Sequence, residues 1–297
     1  MSPWYRPVSA YAEGQLAQFL YADGQGSELF TGPEGESALV PGGGLVSEIY
    51  SNPLTLYIGG ITAVLMELAE PRVRHGVWDH SVFPTDPALR LRRTALAAMV
   101  SIHSAQSISM QMIDGINRRH DAVEGVTSCG KTYRASDPEL LKWVHGTAAY
   151  GFIGAYDRYL RQLSPEEWDS ILDQVAVVAE AYRVEEPPRT NGDLYRLIGV
   201  MWSKLEPSET LATFLELMRT TPALPPMARG FQPMFIRAAI SLLPERVRDV
   251  IGLSREGLRP GEEAIVRFMV WGAGLLQLSN HPKALADERL SITRGVR

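Results

Sequence analysis

The chain has 297 residues, 45% hydrophobic and 21% charged, which is the balance of an ordinary soluble globular protein with a substantial core. A net charge of −5 provides no basic face and argues against nucleic acid as a partner. The single cysteine, Cys129, excludes an internal disulfide and a cysteine-based structural zinc site, and fits a reducing compartment.

In chain order, the first fifteen residues, MSPWYRPVSAYAEGQ, lack the charged region and apolar run of a signal peptide. Residues 1–51 read as a loop-rich lead-in, because the stretch Thr31 to Gly44 is dense in Gly and Pro. A helical domain is expected over residues 52–297. Asn52 and Pro53 form a cap-and-start signal for a helix reaching Leu68, with Pro71 as its end or as a kink before a continuation through Val77. Gly59 and Gly60 within it permit close approach of another backbone or of a flat ligand. The apolar run Leu54 to Met66 stops at Glu67. Its 13 residues fall short of the ~20 a membrane span needs, so a buried helix and a cytoplasmic protein with no membrane span are expected.

Asp86-Pro87 starts a second helix, expected to run through Ile102 and on to His120 with Gly115 as a soft spot. Gly125 to Gly130 reads as a turn, and Asp137-Pro138 starts a helix carrying His145. Ser164-Pro165 starts another, with apolar residues at Ile171, Leu172, Val175, Val178 and Ala179 at helical spacing. Further helices are expected near 193–204, 207–219, 227–243 and 262–278. No stretch alternates with period two, so no sheet is expected. The fold class is all-α.

The candidates for chemistry concentrate between His80 and His145. His75 and His80 match no metal-ligand spacing and read as loop polar residues hydrogen-bonded to the backbone. His103 reads as a packed core histidine and His281 as exposed. There is no G-x-S-x-G, no G-x-G-x-x-G and no pair of Glu-x-x-His motifs for a di-iron bundle. Cys129, in a Gly-flanked turn near Lys131, is weak evidence for a nucleophile. His120 and His145 stand in core-like segments and are either packed histidines or functional ones. Arg90, with Arg92 and Arg93 beside it and Thr94 one turn on, is either part of a solvated basic face pairing with Asp86 or an anion-binding residue.

Several ordered pieces resemble one family: NPLTLYIGG, HSVFPTDPALRLRRT, the His-x-x-Val-x-Gly from His120 to Gly125, ASDPELLKWVH and, more weakly, LLPERVRDVIGL. Together they span about residues 52 to 255 and are similar to the oxygenases that include the latex-clearing protein (rubber oxygenase) and the oxygenase of mycophenolic acid biosynthesis. The resemblance implies a somewhat globin-like helical fold holding a non-covalent haem b, in agreement with the missing C-x-x-C-H. It implies His120 as the iron ligand, Arg90 and Thr94 as the family's Arg-x-x-x-Thr pair at the haem, and His145 in a supporting role at the pocket. The substrate it implies is a small apolar organic molecule, terpenoid or lipid-like, with dioxygen as co-substrate.

Three departures stand out. The position before the Thr, where the rubber oxygenase has a lysine that can cover the iron, is Arg93, whose guanidinium has no lone pair for a metal. Where the family has an arginine four residues after its axial histidine, this chain has Glu124. The rubber oxygenase's pocket glutamate is not placed by any motif; Glu67 and Glu70 are the nearby candidates. The alternative function is a non-catalytic haem or hydrophobic-ligand carrier. Oligomeric state is not readable from the sequence.

Overall fold

The computed structural model describes residues 26–224, 226, 228–276 and 278–294, together with residues 10, 11, 13–15 and 17. Residues 1–9, 12, 16 and 18–25 of the expected lead-in, and Met227 and Gln277 within the expected helices, fall outside these residues.

The architecture is mostly all-α. Two short helices, α1 (Glu28–Thr31) and α2 (Leu45–Ile49), lie in the lead-in. Then follow α3 (Pro53–Ala69), α4 (Pro71–Asp79), α5 (Pro87–His103) and α6 (Gln106–Asp121). Strands β1 (Glu124–Val126) and β2 (Thr132–Arg134) precede α7 (Pro138–Tyr159), α8 (Pro165–Ala181), α9 (Asn191–Met201) and α10 (Glu209–Thr220). The chain continues with α11 (Gln232–Leu242), α12 (Glu245–Val250), α13 (Glu262–Gly274) and α14 (Pro282–Arg294).

The cap-and-proline signals act as expected. Asn52 accepts Leu54 N and Thr55 N at 3.0 and 3.2 Å, Asp86 accepts Leu89 N at 2.9 Å, and Ser164 forms a capping box with Glu167. The side-chain amide of Asn52 also donates to Val270 O at 2.9 Å, tying the start of α3 to α13. Glu70 ends α3 and caps α4, accepting Val73 N at 2.9 Å, and the chain bends by 110° there. No single described helix is long and apolar enough to cross a membrane.

At the centre, α3 lies against α7, and α11 closes over both. Gly59 faces Gly151 so closely that a Cβ on Gly59 would stand 2.5 Å from Gly151 O, and one on Gly151 2.2 Å from Gly59 O. Of the two uses read for Gly59, it is the backbone-to-backbone contact that the fold makes. Thr62 Oγ1 bonds Ala239 O at 3.0 Å and Tyr159 Oη donates to Ala238 O at 2.8 Å, so α11 is pinned to both central helices.

Three expectations are corrected. The helix from Asp86 does not run on to His120: it breaks at Ser104 and Ala105, both extended in ψ, and α6 starts anew. The lead-in supplies the start of α6, with Ser37 O accepting Gln106 N at 2.9 Å and Glu36 accepting Ser107 N at 2.6 Å. A small antiparallel hairpin, β1 with β2, replaces the expected absence of sheet; three-residue strands are too short to carry an alternation. Gly125 lies within β1 opposite Tyr133, whose ring occupies the space a Cβ would need. Finally, His281 is 8% exposed, edge-on to buried His103 at 6.3 Å between ring centroids, because α14 folds back onto α5.

Candidate functional site

Four helices bring the singled-out residues together. Arg90 stands in the first turn of α5 and His120 in the last turn of α6, and the break at Ser104–Ala105 folds these helices against each other. His145 lies on α7 and Glu67 near the end of α3. The electrostatic couplings run Glu67 to Arg90, Arg90 to His120 and His120 to His145, so the four titratable groups form one cluster.

Each group is displaced for a physical reason. Burial raises the Glu67 carboxyl to about 7 against the opposing pull of Arg90 and of the Thr147 hydroxyl, which donates to Oε1 at 3.5 Å. Burial lowers Arg90, and Glu67 counteracts this. His120 lies below its ordinary value, first through burial and then through the Arg90 charge. Burial, with His120 second, pulls His145 down to about 4. Both imidazoles are therefore neutral at pH 7, as a metal-ligating histidine must be.

Arg90 is half-buried. Its guanidinium donates to Thr94 Oγ1, whose hydroxyl in turn donates to Arg90 O at 2.9 Å. That i, i+4 clasp lays the guanidinium along α5. Asp86, the partner expected of a merely solvated Arg90, spends its carboxylate on the helix cap instead. Arg93 and Thr94 are exposed at the rim.

Behind the histidines, Tyr182 packs its ring on His145 at 4.8 Å between centroids, and its hydroxyl lies 3.2 Å from Ser101 Oγ. Asn117, one turn before His120, donates to Ala181 O at 3.0 Å and clamps α6 to the end of α8. Sequence reading missed Thr147, Tyr182 and Asn117, which come from distant segments. Glu67 carried a signal, as the carboxylate that follows the apolar run Leu54 to Met66 inside α3. Glu70 differs in kind: it caps α4 and pairs with Arg72 at 2.7 Å.

The remaining candidates are engaged elsewhere. His75 stands within α4 and not in a loop, pairing with Asp79 at 2.8 Å and accepting Ser128 N at 3.3 Å, and His80 lies 3.0 Å from Tyr133 Oη, a side chain in place of the expected backbone partner. Glu124 pairs across the hairpin with Arg134 at 3.3 Å. Cys129 is exposed at the hairpin tip.

The donor set tests which cofactor could fit. Nδ1 of His120 is buried with no hydrogen-bond partner among the described residues, a costly state that a bound group or its water would relieve. No group of three or more His, Cys, Asp or Glu that could hold a bare metal ion occurs among the described residues. One neutral imidazole suits a macrocycle that brings its own equatorial nitrogens and takes an axial ligand. The residues fit a haem.

The stacked helices thus draw a neutral histidine, an arginine and a carboxyl with raised proton affinity into one cluster. Residues 48–281 match the family model described as ER-bound oxygenase mpaB/B'/Rubber oxygenase, catalytic domain, and the chain belongs to that oxygenase family. Comparison with curated proteins and with solved structures gave no match in either case.

Proposed function

We propose that the protein is a haem b-dependent oxygenase acting on an apolar organic substrate, terpenoid or lipid-like, with His120 as the iron ligand. The observation that carries this reading is the His120 imidazole: neutral, with a buried unpartnered nitrogen, and coupled to Arg90 and His145. A haem held there would supply the binding and activation of dioxygen.

The chain's own residues supply the surround. Arg90, held along α5 by Thr94, offers its fork to an anionic group at the cofactor edge, for which haem propionates are suited. Arg93, exposed beside it, adds positive charge at the rim but brings no lone pair to iron. His145, kept neutral and wedged by Tyr182, supports the pocket wall next to His120. Glu67 titrates near neutrality and can accept a proton from substrate or return one at its carboxylate oxygens.

An absorption spectrum of the purified protein, with a pyridine haemochrome, tests the reading. A Soret band with haem b is expected, and His120→Ala should lose most of it. A wild-type protein with no Soret band even after haem supplementation sinks the proposal, and full retention in His120→Ala moves the axial ligand elsewhere.

A further inference from the structure

We infer that the cleft between the outer faces of α7, α8, α9 and α13 is a second binding site, for an aromatic carboxylate, separate from the His120 cluster. The cleft has a volume of about 390 Å³, enough for a two-ring organic molecule. Tyr150, which lines it, follows His145 on α7 by five residues, or about 140° around the helix. The cleft therefore opens on a side of α7 turned away from the histidines.

Its walls are aromatic and held in place. Tyr150 and Tyr195 stand edge to face at 6.2 Å and 88°. Tyr150 Oη donates to Leu242 O at 2.8 Å, and Trp168 Nε1 donates to Asp157 Oδ2 at 3.3 Å. Tyr195 is 53% exposed, so its ring face is open to a ligand at little cost. Aromatic rings in this relation favour stacking or edge contact with a flat molecule.

The charges select the sign of that molecule. Asp157 spends its other oxygen on Leu163 N at 2.7 Å. Glu263 is paired with Arg158 at 2.8 Å, and Arg158 also donates to Ser241 O at 2.6 Å. Arg267 gives one nitrogen to Arg158 O at 2.7 Å and has no carboxylate partner among the described residues. Both acids of the cleft are thus committed and one guanidinium keeps donors to offer. An anionic group on Arg267 with a ring against Tyr195 uses what the cleft leaves free.

Calorimetric titration of the full chain with 2-naphthoate tests this. Saturable binding is expected, weakened about tenfold or more in Arg267→Ala and in the comparison with uncharged 2-naphthamide. Tyr195→Ala should also weaken it, and Arg90→Ala should leave it unchanged. Three results would overturn the assignment: no saturable binding up to about 10 mM, equal affinity in Arg267→Ala, or loss of binding in Arg90→Ala. Tighter binding of trimethyl(2-naphthyl)ammonium than of 2-naphthoate would reverse the charge preference and overturn it too.

Discussion

Two carboxylates three residues apart on one stretch of chain have opposite fates. Glu70 is held by Arg72 and by the first turn of α4, whereas Glu67 faces only a 3.5 Å hydroxyl contact and the field of Arg90. The consequence is a carboxyl that binds its proton up to about pH 7. Because the folded-state value, about 7, lies above that of the unfolded chain, Glu67 favours folding most at low pH, and that contribution is lost as pH rises through 7. Glu67→Gln should therefore stabilise the protein above pH 8, on the order of 2 kcal/mol, measurable by denaturant titration at pH 6 and pH 8.5. A variant that gains as much at pH 6 as at pH 8.5 would show that the carboxylate is not the titrating group. Turnover of an oxidisable substrate should lose its pH dependence near 7 in the same variant. Of the candidates, His120, Arg90, Thr94 and His145 were singled out because they lie in the short ordered motifs that carry the family resemblance. Thr147 was not, since its tie to Glu67 depends on how two helices 80 positions apart cross.

At the level of helices, that crossing is set by Gly59 and Gly151. Neither position has room for a methyl group, since each would meet a backbone oxygen that cannot rotate away. Gly59→Ala should cost about 3 kcal/mol and lower the thermal midpoint, while Gly60→Ala, with only the Phe152 ring at 3.8 Å, should be close to neutral. Similar losses from both would mean that α3 and α7 do not touch there. Helix starts were readable at Asn52-Pro53, Asp86-Pro87, Asp137-Pro138 and Ser164-Pro165, where cap and proline act within one turn; the same arrangement at Glu70-Pro71, read as an end or a kink, begins α4. The break at Ser104–Ala105 was not readable, since Glu36 and Ser37 of the lead-in supply partners to the new helix start from 70 residues away. The hairpin escaped for a different reason: its strands are held by the Gly125–Tyr133 fit and not by a pattern of alternating polarity.

For the molecule as a whole, acid should be the weak direction. His103 and His281, expected respectively in the core and at the surface, are both buried and in contact. Burial pulls them down to about 4 and about 3, well below the unfolded value, so the stability they confer is complete above pH 6.5 and is lost as pH falls towards 3. Unfolding midpoints measured from pH 7 to pH 4 should fall steeply, and less so in a His103→Gln, His281→Gln double variant. Equal slopes would place the acid-labile groups elsewhere. The reading of His281 failed because a residue before proline near the end of a sequence looks peripheral, and only the return of α14 onto α5 buries it.

The side chain that fastens that return is Arg289, 1% exposed, donating to Phe30 O at 2.9 Å and to His103 O at 3.1 Å. The first of these bonds spans 259 residues. During synthesis the buried cluster of Phe30, Met99 and Val100 lacks Leu285 and Arg289 of α14 until that helix leaves the ribosome, while α3 and α7 can already have met. Closure of such a distant loop comes late and slowly. Nascent chains should thus acquire the central helix pair well before they resist proteolysis near Phe30, and pulse-labelled chains sampled between the two should be cut there.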